Sequence, residues 1–128
     1  MPKYMLLIYA AAEGGPSAEE MPAEHEKWMD YTQSLREADP GLAGDQLHGV
    51  ETATTVRVAD GETQITDGPF AVTKELLAGF YVMDCPDLDA ALGHAARAPI
   101  VVHGSVEVRP VVTYPAAQPQ PEEALSGA

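Results

Sequence analysis

The chain carries four histidines, one cysteine, seven basic residues and twenty acidic ones. His25 is the group whose spacing says most. On a helical wheel, Met21, His25, Trp28, Thr32 and Leu35 fall within an arc of about 80°. This places an imidazole on an otherwise apolar stripe, pointed at whatever the helix packs against. Burying an imidazole costs free energy unless a partner satisfies it, so two readings stand. One is a core histidine held by a backbone or hydroxyl group. The other is a general acid or base in a cleft between helix and sheet. Asp67 divides the same way: a turn acid accepting backbone hydrogen bonds, or a carboxylate that orients His25.

The remaining candidates sit near strand ends. Lys74 and Glu75 are adjacent and cannot share a face if extended, so one faces a cleft while the other meets solvent. His103, in Val101-Val102-His103-Gly104, reaches toward a cleft rim. Arg109 alternates with Val106 and Val108 and lies opposite them, beside Glu107. It serves a salt bridge or grips an anionic ligand. His48 and His94 read as solvated. No histidines stand at i, i+4 or in H-x-H spacing, and no Cys–His pair occurs, so neither a metal nor a cofactor is expected. Ser17, Ser34 and Ser105 lack nucleophile-elbow context, and no glycine loop suited to phosphate is found.

The elements that must position these groups are legible. Lys3 to Ala10 reads as a strand with both faces apolar. Ser17 and Glu20 form a capping box, and the helix behind it ends at Asp39-Pro40. Short strands are expected at Asp45–Gly49 and Ala53–Ala59. Asp60-Gly61 is a hairpin signal, with the return strand at Glu62–Thr66. Asp67-Gly68-Pro69-Phe70-Ala71-Val72-Thr73-Lys74-Glu75 is a stiff corner in which Pro69 fixes φ and Phe70 supplies one large ring. A helical turn at Lys74–Leu77 fits its end. Ala78–Asp84 is a strand, Asp87 caps a second amphipathic helix ending at Ala98-Pro99, and Ser105–Thr113 is the last strand. Residues 114–128, rich in Pro, Ala and Gln, read as a disordered tail. The order β-α-β, hairpin, β-α-β is the ferredoxin-like split βαβ pattern of an α+β domain with an antiparallel sheet. Two helices cover one face of such a sheet, so a second copy of the chain is expected on the other.

The formal net charge is −13. Such a surface repels nucleic acid and anionic membranes, which are gripped through Lys and Arg. The lone Cys85 forms no internal disulfide and reads as a buried hydrophobe. The apolar run from Tyr4 to Tyr9 is too short for a signal peptide or a membrane span. A cytoplasmic protein is expected.

These residues resemble the YCII-related proteins, in particular their DGPF branch. The likeness rests on the 67–75 stretch, Lys3-Tyr4-Met5-Leu6-Leu7-Ile8-Tyr9, Pro86-Asp87-Leu88-Asp89-Ala90-Ala91-Leu92 and Gly104-Ser105-Val106-Glu107-Val108-Arg109-Pro110, and spans about residues 1–113. It implies a dimeric α+β barrel. It also implies, for some members, an enzyme using a first-helix histidine, matched by His25, and an aspartate before a proline, where this chain has Ala98. Val72 stands where DGPF proteins commonly carry Glu. Neighbourhood with extracytoplasmic-function sigma factors implies a sensory or accessory role. The expected function is binding of a small organic molecule between the first helix and the sheet, lined by His25, Trp28, Asp67, Phe70, Lys74, His103 and Arg109. The alternatives are proton transfer by His25 on a lactone-like or carbonyl substrate, or docking to a sigma factor.

Overall fold

The computed structural model describes residues 1–69, 71 and 73–114. Its elements run β1 (Lys3–Ala11), α1 (Met21–Ala38), β2 (Ala43–Gln46), β3 (Thr54–Ala59), β4 (Glu62–Asp67), β5 (Glu75–Asp84), α2 (Leu88–Ala96) and β6 (Gly104–Pro110). Short 3-10 turns at Val50–Thr52 and Pro99–Val102 lead into β3 and β6. The main sheet has the order β2-β5-β1-β6, with antiparallel neighbours throughout, and β3 and β4 form a separate ribbon. β5 therefore splits β1 and β2, and the chain has the expected α+β, ferredoxin-like arrangement.

Local chemistry sets the helix ends. Ser17 N–H donates to Glu20 Oε1 (3.1 Å), and Glu20 N–H to Ser17 Oγ (3.3 Å). The reciprocal bonds of the expected capping box form, but they close the turn ahead of α1, whose own N-cap is Glu20 without a side-chain bond, and Pro22 occupies the first helical turn, where its missing N–H costs nothing. Asp39 leaves the helix in an extended conformation ahead of Pro40. Its buried carboxylate accepts from Gly41 N–H (2.9 Å) and Asp84 N–H (2.8 Å), tying the end of α1 to the end of β5. Asp87 caps α2 by accepting from Ala90 N–H (2.8 Å).

Both helices cover one face of the sheet. Tyr4, Leu6 and Ile8 of β1 and Met83 of β5 are buried there with Tyr31 and Leu35 of α1, Ala91 and Ala95 of α2, Cys85 and Ala98. Filling a fully buried Leu or Met position contributes roughly 1.5–3 kcal/mol. The alanines of α2 keep its packing face flat. Tyr31 stands edge-on to Trp28 and Tyr81, and its hydroxyl donates to the carbonyl of His94 (2.6 Å). Burial raises the pKa of the Cys85 thiol, helped by Asp39, Asp84 and Asp87, so it packs as the inert hydrophobe expected.

The other face is open. Alternation along paired strands puts Met5, Leu7, Tyr9, Phe80 and Val82 there, with Ser105, Glu107 and Arg109 on β6 and Asp45 on β2. The apolar residues of this face are half-buried in the single chain.

Several boundaries move. β2 lies upstream of the expected Asp45–Gly49, because Ala43–Gln46 find partners in Val82–Gly79. β5 begins at Glu75, and Lys74–Leu77 form no helical turn. A bulge at Ile8/Tyr9 lets Glu75, Leu76 and Leu77 continue the ladder against Ala11, Ala10 and Tyr9. β6 ends at Pro110 rather than Thr113, since β1 starts at Lys3 and the last bond runs from Val111 N–H to its carbonyl (2.9 Å). His94 is half-buried rather than solvated. Burial, then the neighbouring Arg97, lowers its pKa. The tail expected at 114–128 lies, from residue 115 on, outside the described residues.

The Asp39 tie has a pH signature. Hydrogen bonding from Asp84, joined by that from Gly41, holds its pKa below the ordinary 3.8. Its stabilising effect is complete above the unfolded carboxylate value and is lost as pH falls through the lowered folded value. Asp39→Asn keeps the shape but can satisfy only part of the pair of bonds. We expect about 1–3 kcal/mol of lost stability at neutral pH. The gap between variant and wild type should narrow below about pH 4 in urea unfolding followed by circular dichroism.

Candidate functional site

At the end of the open face where β1 finishes, three strands bring polar side chains together. Tyr9 pairs with Ser105 of β6 and with Leu77 of β5, and Ala11 pairs with Glu75. Ser105 Oγ donates to Glu75 Oε2 at 2.7 Å, and Tyr9 Oη donates to Glu107 Oε1 at 3.3 Å. Ala12 N–H donates to the Lys74 carbonyl at 2.9 Å, closing the corner, and the Thr73 hydroxyl bonds the Glu75 carbonyl.

Two shallow, open recesses of about 700 Å³ each adjoin this cluster. The first is lined by Ala11, Ala12, Glu13, Thr73 and Lys74. The second is lined by Tyr9, Thr73, Lys74, Glu75, Ser105 and Glu107.

The groups here are hydrogen-bonding groups rather than nucleophiles. Burial raises the pKa of Tyr9 above the ordinary phenol value, and the charge and hydrogen bond of Glu107 add to this while Arg109 opposes it. Tyr9 is thus a proton donor at neutral pH, Glu107 and Glu75 are acceptors, and Ser105 both gives and takes. Lys74 lines both recesses beside these acids, so the patch is of mixed charge. Among the described residues, no three His, Cys, Asp or Glu side chains converge to hold a metal ion.

The residues expected from the sequence do not form one cavity. His25 is exposed, not turned into an apolar cleft. It shares an azimuth with Thr32 but lies near the start of α1, and the buried part of α1 is its second half, Tyr31 and Leu35. Half-buried Trp28 packs against the core beside Tyr31, with ring centroids 5.9 Å apart. Trp28, Tyr31 and Leu35 of α1 pack against the core residues of the sheet. Asp67 ends β4, is exposed, and pairs with Thr54 in the ribbon, without a hydrogen bond to His25. Phe70 lies outside the described residues. His103 is exposed, near enough to Glu20 to help its Ser17 hydrogen bonds lower that carboxyl's pKa. Lys74 is the expected residue that lines both recesses. Arg109 lies opposite Val106 and Val108, as read from alternation, and pairs with Met5. Ala98 is 2 % exposed within the core, and its methyl group offers no acid for an imidazole to work with.

Tyr9, Glu75, Ser105 and Glu107 were not singled out as a site. Ser105, Glu107 and Arg109 alternate on one side of β6, which was a readable signal. Their meeting with Tyr9 and Glu75 depends on the register of three distant strands, which no local pattern encodes.

The Tyr9 phenol should ionise above its ordinary 10.0, read from carbon-13 tyrosine NMR and assigned with Tyr9→Phe. Glu107→Gln should lower the value part of the way, because burial remains. Removing the opposing cation with Arg109→Gln should raise it. A shift of the opposite sign in either variant would contradict the arrangement.

The family model for the YCII-related domain matches residues 2–115. An uncharacterised protein of Rhizobium meliloti (strain 1021) is 50 % identical over an alignment of 64 residues that covers 48 % of this chain and 52 % of that protein. The matched stretch thus spans about half the length of this relative.

Proposed function

The chain belongs to the YCII-related domain family, and on that premise we propose that it binds a small polar organic molecule, without turnover, at the β1 end of its open sheet face. The stretch Asp67-Gly68-Pro69-Phe70 assigns it, in this reading, to the DGPF branch. The observation that carries the reading is the pair of hydrogen bonds Ser105–Glu75 and Tyr9–Glu107 on adjoining strands, set beside the recesses. Fixed donors and acceptors next to open space are what a small ligand with hydroxyl or amine groups requires. Chemistry by His25 has less support, since that ring is exposed and Ala98 supplies no acid.

The binding reading is checked with a library of polar fragments followed by amide NMR. Chemical-shift changes should centre on Tyr9, Glu75, Ser105 and Glu107. Glu75→Gln and Glu107→Gln should each weaken a hit about tenfold or more, the scale of a lost charge-assisted hydrogen bond, while His25→Ala leaves it unchanged. Changes centred on His25 and Trp28 would sink this site in favour of the helix cleft.

In the same reading two copies of the chain pair, each covering the open sheet face of the other. Met5, Leu7, Phe80 and Val82 form an apolar band with no helix over it, the kind of face a second copy covers. Light scattering at micromolar concentration should give twice the 13.6 kDa chain mass. Leu7→Lys, which puts a charge in that band opposite Glu107, should give the single mass without loss of helical signal.

A further inference from the structure

The β3–β4 ribbon stands apart from the sheet and carries an apolar face of its own. Cross-strand pairs share a face, so Val56 with Ile65, Val58 with Thr63 and Thr54 with Asp67 line one side. Val56 is 61 % exposed, Val58 71 % and Ile65 70 %. Every residue of β4 is exposed. The ribbon is fastened at its base, where Gly68 N–H donates to the Ala53 carbonyl (2.7 Å) and Thr55 Oγ1 to the Gly68 carbonyl (2.8 Å). A two-stranded ribbon is marginal in water on its own, and three large aliphatic side chains on its surface are a cost unless something covers them.

Charge says what covers them. The ribbon tip is Asp60-Gly61-Glu62, with Asp60 (φ 52°) and Gly61 (φ 79°) both left-handed in a tight turn. The tip is thus acidic. In a chain with only seven basic residues, two of them lie together on the open sheet face. Arg109 pairs with Met5, and Lys3 precedes Met5 on the same side of β1. Lys3 has Asp84 at 3.3 Å, while Arg109 forms no ion pair among the described residues. The apolar band of Met5, Leu7, Phe80 and Val82 adjoins these cations.

We propose that the β3–β4 ribbon is an arm that seats Val56, Val58 and Ile65 on the open sheet face of a second copy, with its Asp60–Glu62 tip toward that copy's Arg109. The proposal rests on the pairing of two copies and names the element that makes the contact. Chains of net charge −13 repel, so a contact that is apolar on apolar, with acid meeting the scarce cations, is the one that favours association. Two-fold symmetry makes it twice, and each ribbon gains the support it lacks alone.

The test mixes chains labelled with carbon-13 on Val, Ile, Leu and Met methyls with unlabelled chains and records isotope-filtered NOEs. Cross-chain signals from Val56, Val58 and Ile65 methyls to Met5, Leu7 or Phe80 are expected. The exposed double substitution Val58→Thr, Ile65→Thr should raise the dimer dissociation constant at least about tenfold, the scale of several buried methyl groups. Its circular dichroism spectrum should match wild type. A dimer whose cross-chain signals run only between sheet faces, or only between ribbons, would overturn the arm and leave the pairing. A chain of single mass without cross-chain signals would overturn both. Neither result touches ligand binding at Tyr9 and Glu75, which the fragment experiment decides.

Discussion

The structure depends on the position of β1 at the centre of an antiparallel sheet. Its backbone is paired on both edges, to β5 and to β6. Its side chains then serve two layers by strict alternation. Tyr4, Leu6 and Ile8 anchor both helices, while Met5, Leu7 and Tyr9 form the spine of the open face. Neither side of this strand is polar, since its sequence is apolar from Tyr4 to Tyr9. The same pairing that holds the core also delivers Tyr9 to Ser105 and places Ala11 against Glu75.

Most of the fold was legible because its signals are local. The capping box at Ser17 and Glu20, the stop at Asp39-Pro40, the turn at Asp60-Gly61 and the cap at Asp87 each need only a few neighbouring residues, and each formed. Strand ends were less legible because they depend on partners. β2 moved upstream to meet Val82–Gly79, and β5 grew backward because β1 was long enough to pair with Glu75. Pairing between copies belongs to neither class, since it would be a property of two chains.

The site was less legible than the fold, for a physical reason. A wheel gives azimuth but not depth. His25 shares the face of Thr32 and Leu35, yet a helix is buried only where something lies beneath it, and the start of α1 has little beneath it. The polar cluster failed in the other direction. Glu75 reads as half of an exposed pair with Lys74, Ser105 as a serine without a motif, and Tyr9 as one more apolar strand residue. They become neighbours only once three strands are in register.

The bulge at Ile8/Tyr9 turns this dependence into a rule about pairing. Gly79 pairs with Ile8 and Leu77 with Tyr9, so Ala78 is the extra residue between them. Because strand faces alternate with a period of two, keeping that one residue out of the ladder decides on which side of the sheet Glu75 and Leu77 stand. If Ala78 itself paired with Tyr9, the glutamate would turn toward the helices and its neighbour outward, with every residue type conserved. The bulge, rather than the residue types alone, therefore sorts chains that can build this polar cluster from chains that keep only its vocabulary.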